Sequence, residues 1–237
     1  MIPLDDKLKD AFGGIETPER LKRMTKAHIR KATFDYGRHT ARLKAHRRRM
    51  AAAAASLALT IGGAGLWFLP VTRIGLDINP SIEIRVNALG RVIGLDGLNT
   101  DGEILAQALE VNGMEYGDAM ERIMVSDELG YYLDKGDVLS ITVSGRGAEQ
   151  TLNQVVCRAY AVADDEQVFY ILADGPTVKA AREQGITVAQ YEALRALQRT
   201  DPDATAQQVQ DLTMAEIREL IGFEKLEDPC QKNEEEN

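Results

Sequence analysis

Residues 50–71 carry no Asp, Glu, Lys or Arg, and no other feature limits so sharply what this chain can become. They read Met-Ala-Ala-Ala-Ala-Ala-Ser-Leu-Ala-Leu-Thr-Ile-Gly-Gly-Ala-Gly-Leu-Trp-Phe-Leu-Pro-Val. A helix of about 20 such residues covers the ~30 Å hydrocarbon core of a bilayer and satisfies its own backbone there. The block is therefore expected to be a transmembrane helix. Lys44-Ala45-His46-Arg47-Arg48-Arg49 stands directly before it, and a basic cluster at one end stays in the cytoplasm. Trp67 and Phe68 then fall at the outer interface, and Pro70 marks the exit. A cleaved signal peptide has a shorter lead and a shorter apolar core, and no small-x-small site follows directly here. A buried helix of a soluble protein would not need the Arg triplet. Gly62, Gly63, Ala64 and Gly65 either let two helices approach closely or are filler.

Charge divides the chain at the same places. Residues 1–49 hold 14 Lys and Arg against 6 Asp and Glu, whereas residues 73–237 hold 14 against 31. A basic block, a neutral block and an acidic block in that order describe compartments rather than one globular domain. The expected organisation has five parts: a basic helical cytoplasmic segment, 1–49; the span, 50–71; an extracytoplasmic α+β domain, 72–175; a helical C-terminal region, 176–226; and an acidic, disordered tail, 227–237.

The basic segment is too short for a conventional catalytic domain. Leu4, Leu8 and Phe12 recur at helical spacing. Gly13-Gly14 breaks that helix, and Thr17-Pro18 starts a second one running toward Arg38 or beyond, with Leu21, Met24 and Ile29 on its apolar side. Two short amphipathic helices cannot cover their apolar faces alone. Leu4, Leu8, Phe12, Leu21 and Met24 are thus candidate partner-binding residues. No DNA-binding motif accompanies the charge, so direct nucleic-acid binding is not expected.

Past the span, Ile82, Ile84 and Val86 alternate with Ser81, Glu83 and Arg85, which predicts a strand. A turn at Asn87–Gly90 and a returning strand at Arg91–Leu95 complete a hairpin. Helices are expected around Glu103–Val111, Tyr116–Asp127 and Glu149–Ala161, and strands at Val138–Val143 and Val168–Ala173: an α+β pattern. Thr187-x-x-Gln190 and Thr213-x-x-Glu216 read as capping boxes, Asp201-Pro202-Asp203 as a loop, and Thr205 as a further cap. Cys157 reads as a buried small hydrophobe. Cys230 lies in a polar tail, and a disulfide between the two stays open outside the cytoplasm.

Asp77-Ile78-Asn79-Pro80-Ser81-Ile82-Glu83-Ile84-x-Val86-Asn87, continued by Gly90-x-Val92-Ile93 and Leu98-Asn99-x-Asp101-Gly102, resembles the signature of RsgI-type anti-sigma factors of Gram-positive bacteria. The resemblance implies a cytoplasmic part that holds a sigma factor and an outer domain that breaks itself between Asn79 and Pro80. Intramembrane proteolysis by a membrane protease would follow. Better-known members begin with a strand-rich cytoplasmic domain, whereas this chain begins with a short helical segment.

The residues themselves permit the cleavage. In most Asn-X bonds the next backbone nitrogen attacks the Asn side chain, but proline has no N–H to do so. The Asn79 side-chain nitrogen can instead attack its own backbone carbonyl, forming a succinimide and expelling Pro80. Asp77 is the candidate proton acceptor. Each molecule would react once, so the chain is not expected to be an enzyme beyond single-turnover autoproteolysis. The bland alternative is that Asn-Pro is a turn dipeptide and Pro80 opens an edge strand.

Beyond the span there is no histidine, which removes His-based triads and the usual zinc-hydrolase sites. No metal or cofactor is expected. The rival to an anti-sigma factor is a membrane-anchored extracellular sensor or binding module whose cytoplasmic segment only anchors it.

Overall fold

The computed structural model describes residues 13, 16–224 and 230, with backbone alone over 34–42. Leu4, Leu8, Phe12 and most of the expected acidic tail lie outside the described residues. The chain divides into two units, Met1–Ile61 and Gly62–Asn237.

One helix, α1 (Glu19–Phe68), replaces the separate second helix and span expected from sequence. No proline interrupts it after Pro18, which sits just before its first turn, and the Ala run at 51–55 favours helix throughout. Leu43–Phe68 is long and apolar enough to cross a membrane, which is compatible with single-pass anchoring. Leu21, Met24 and Ile29 are more than half exposed, as unpartnered apolar side chains would be. The helix stops at Phe68, not at residue 71. Pro70 has no N–H for a helical bond, so Pro70 and Val71 open a strand instead.

That strand, β1 (Pro70–Asp77), was hidden in the sequence behind the apolar run. It forms a hairpin with β2 (Ser81–Asn87), which returns through β3 (Val92–Gly97). Three short helices follow: α2 (Thr100–Ala108), α3 (Tyr116–Met124) and α4 (Asp127–Asp134). Next come β4 (Leu139–Gly145), α5 (Ala148–Tyr160) and β5 (Val168–Ala173). The chain then closes with α6 (Gly175–Glu183), α7 (Val188–Leu197), α8 (Ala206–Gln210) and α9 (Met214–Ile221). The sheet order is β3-β2-β1-β4-β5, with only β4 and β5 parallel. The fold is α+β, as the sequence pattern indicates.

Side chains alternate across each strand, so the sheet has two covered faces. Ile74 and Leu76 of β1 stand beside Ile84 and Ile82 of β2 and beside Val143 and Ile141 of β4. These rows form one core with Leu105, Met120, Ile123, Leu129 and Val155 from α2 to α5. Each fully buried aliphatic side chain here contributes about 1.5–3 kcal/mol. On the opposite face Phe169 packs with Ile186, Leu194, Val209 and Ile217. The capping boxes of Thr187 with Gln190, Thr205 with Gln208 and Thr213 with Glu216 all form, fixing where α7, α8 and α9 begin.

Cys157 is not a simple buried hydrophobe: it is bonded to Cys230, with Cα atoms 5.4 Å apart. Two cysteines 73 positions apart give no local signal of such a pairing.

Candidate functional site

The β1–β2 ladder ends at the pair Asp77 and Ser81, leaving Ile78, Asn79 and Pro80 as the turn. Pro80 therefore does not open an edge strand; β2 lies inside the sheet. Ile78 and Pro80 are buried while Asn79 is exposed. Reversing direction in three residues forces one of them to positive φ, and Asn79 takes it at +102°. Among the described residues it is the only non-glycine to do so. Asn tolerates this better than most side chains, but a following proline restricts the preceding residue toward extended, negative-φ backbone. Such a residue stores on the order of 1–3 kcal/mol, held by its surroundings.

Three side chains, from the end of β1, the start of β2 and the cap of α2, supply that hold. Ser81 Oγ donates to Asp77 Oδ1. Asn99, the N-cap of α2, accepts from Gly102 N at 2.8 Å and from Ser81 N at 3.0 Å through Oδ1. Its Nδ2 donates to Asn79 Oδ1 at 3.2 Å and lies 3.4 Å from Ser81 Oγ. Leu98 N donates to the Ser81 carbonyl at 2.8 Å, so the start of α2 is pinned to the turn. The approach is so close that a Cβ on Gly102 would sit 2.0 Å from the Ser81 carbonyl oxygen, and one on Gly97 2.2 Å from Glu103 N. Only glycine fits at either place.

Asp77 is buried, and Asp77 Oδ2 has no hydrogen-bond partner of normal geometry. Burial pushes its carboxyl above the usual carboxylate range, and hydrogen bonding toward Ser81 and Thr187 offsets this only in part. Its neighbour across to β4 is Ser140, fully buried with an unpaired hydroxyl. On the same face Glu83 accepts from Arg73 and is gripped by Arg182 Nη2 of α6 at 2.6 and 2.7 Å. That ion pair fastens the C-terminal helices over the sheet near Asp77.

A raised carboxyl favours the folded state while it stays protonated. The folded protein then binds more protons than the unfolded chain between the unfolded value, 3.8, and the higher folded one. Stability from this group is full below that window and falls as pH rises through it. Asp77→Asn removes the titration while leaving an acceptor for Ser81. We expect the stability of the variant relative to the native chain to rise with pH across the window, read by denaturant midpoints from pH 4 upward. A difference independent of pH would show that Asp77 is not held protonated.

The structure thus brings together Asp77, Asn79 and Pro80. It adds Ser81 and Asn99, which were not singled out for a role. The sequence held the signal for Asn99 in Asn99-x-x-Gly102: a capping residue just before a helix, followed by a glycine where α2 meets the turn. Leu21 and Met24 belong to the other unit. Among the described residues no group of three or more His, Cys, Asp or Glu is placed to hold a metal ion.

Comparison with known proteins gives the family of the region that holds this turn. Residues 71–196, more than half of the chain, match the family described as the anti-sigma factor RsgI-like central domain. Among characterised relatives, anti-sigma-I factor RsgI7 of Acetivibrio thermocellus is 28% identical over 162 residues, covering 65% of this chain and 30% of the relative. RsgI5 of the same organism is 23% identical over 164 residues, covering 62% and 34%, and RsgI6 is 23% identical over 170, covering 64% and 22%. The chain thus spans about a third or less of the length of these relatives. The hairpin with Asn79 at its tip, the α2 start pinned to it and the span just ahead lie in and beside the matched region, and the chain belongs to the RsgI-like anti-sigma factors.

Proposed function

We propose that this protein is a membrane-spanning anti-sigma factor disarmed by breaking its own chain between Asn79 and Pro80. Residues 1–49 lie in the cytoplasm by the charge rule and hold a sigma factor through Leu4, Leu8, Phe12, Leu21 and Met24. Residues 72–237 lie outside, where a Cys157–Cys230 bond persists. Self-cleavage followed by intramembrane proteolysis releases the sigma factor.

The observation that carries this reading is Asn79 at positive φ before a proline, held by the Asn99 side chain, which also touches Ser81. In the reaction Asn79 Nδ2 bonds to the Asn79 carbonyl carbon, and the bond to Pro80 nitrogen breaks. One proton leaves Nδ2 and one joins the Pro80 nitrogen. Asp77 is protonated to higher pH than an ordinary carboxyl, so it suits the proton donor's part better than the acceptor's part that the sequence suggests. After the cut, β1 stays hydrogen-bonded to β2 and β4, so both pieces remain in one sheet.

The test uses the full chain, tagged at both ends and recovered from membranes. We expect two polypeptides that separate only on denaturation, with masses placing the break between Asn79 and Pro80, and a sigma factor recovered with the N-terminal piece. A chain of intact mass after prolonged incubation would remove the cleavage. Failure to recover a sigma factor would leave an extracellular sensor.

A further inference from the structure

We infer that Asn99 is a positioning residue that aims the Asn79 amide for attack; this rests on the self-cleavage reading above. The orientation of Asn99 is fixed by its neighbours. Two backbone N–H groups, from Ser81 and Gly102, converge on one atom of its amide, which must be the oxygen. Nδ2 is therefore the atom that faces Asn79, and the atom of Asn79 that meets it must be an acceptor, Oδ1. By elimination, Asn79 Nδ2 is the end of the amide left unheld by Asn99. Without this contact the exposed Asn79 side chain would rotate freely, and either end of the amide would face its own carbonyl.

The same hydrogen bond assists the chemistry. As Nδ2 gives up its proton, negative charge spreads onto Oδ1, where the Asn99 donor already stands; when Nδ2 then bonds to the backbone carbonyl carbon, that charge passes to the backbone carbonyl oxygen. The C–N bond to Pro80 then breaks. The products are a chain ending in a succinimide and a chain beginning with the Pro80 secondary amine. Asn99 touches the attacking side chain but exchanges no atom with it. Its own position comes from capping α2 and from Gly102, whose missing side chain lets the helix start reach the turn.

Asn99→Asp separates this role from a structural one. Aspartate is as good an N-cap and still accepts from Ser81 and Gly102, but its ionised carboxylate cannot donate to Asn79. Both full-length chains are synthesised into liposomes, and the break is followed over time from pH 4 to pH 8 beside the melting temperature. At pH 7 the variant is expected to cut roughly 10- to 100-fold more slowly, the loss typical of a misplaced reacting group, with melting unchanged. Below the pKa of the substituted carboxyl a donor returns, so the native-to-variant rate ratio falls toward one as pH drops. A ratio near one at every pH overturns the role of Asn99. Equal slowing at every pH with lower melting marks a merely structural residue and overturns it as well. A native chain that never cuts overturns the cleavage reading, and this inference with it.

Discussion

Asn79→Ala in the full chain is expected to reduce cleavage to background, the largest effect any single substitution should have here. The variant keeps Pro80, Asp77, Ser81 and Asn99 in place but removes the only atom that can reach the carbonyl carbon from within the residue. Alanine at positive φ is also less comfortable than asparagine, so the uncut domain should lose about 1–2 kcal/mol of stability. Asn79→Gly separates the two effects. It is equally unable to attack, yet glycine adopts φ of +102° at no steric cost, so this chain should be uncut and at least as stable as the native one. The measurement is intact mass after denaturation, with a chemical unfolding curve for each variant. Cutting in either variant would show that Asn79 is not the nucleophile.

The second large effect concerns the bond between Cys157 on α5 and Cys230. It closes a loop with a sequence separation of 73 that holds β5 and α6 to α9. Cross-links over loops of this length typically stabilise by about 2–4 kcal/mol, by restricting the unfolded chain. Replacing both cysteines by serine, or adding reductant, should lower the unfolding free energy by that amount and shift the unfolding midpoint down accordingly. The C-terminal helices are expected to lose hydrogen-exchange protection first, since Phe223 is the aromatic link from their end to Phe169 and Tyr170 of β5. The cysteines also report compartment. They should resist alkylation in intact cells if residues 72–237 lie outside, and react if that region is cytoplasmic. An unchanged midpoint after reduction would show that the bond does not stabilise the fold.

What could be read in the sequence was whatever repeats locally or carries its own punctuation. The apolar run, the alternation of Ile82, Ile84 and Val86, and the Thr-x-x-Gln and Thr-x-x-Glu boxes each contain their cause within a few residues. Strand β1 did not, because Pro70 and Val71 continue the apolar composition of the span, and only pairing with β2 and β4 reveals them as strand. Helices α4 and α6 are short, and α6 opens with Gly175-Pro176, which alone reads as a turn. At the site, Asn79 and Pro80 were visible as a pair. Asn99 stands 20 positions away and joins them only through the folded sheet. Asp77 was legible as a neighbour of Asn79 but not as a buried acid, since burial is a property of α6 and α7 closing over that face.

The place of β1 has a consequence for what a cut chain could do next. Because it has a partner strand on each side, its withdrawal would not trim an edge but open a vacancy one strand wide, bordered by β2 and β4. Both borders would present unpaired backbone groups facing each other, shaped for one particular insert. A peptide with the sequence of residues 70–79 would be the natural plug, and another molecule's β1 would serve equally. The piece left behind would thus be a receptor for the strand it had lost, and its empty seat could be counted with a labelled peptide long after the signal had passed.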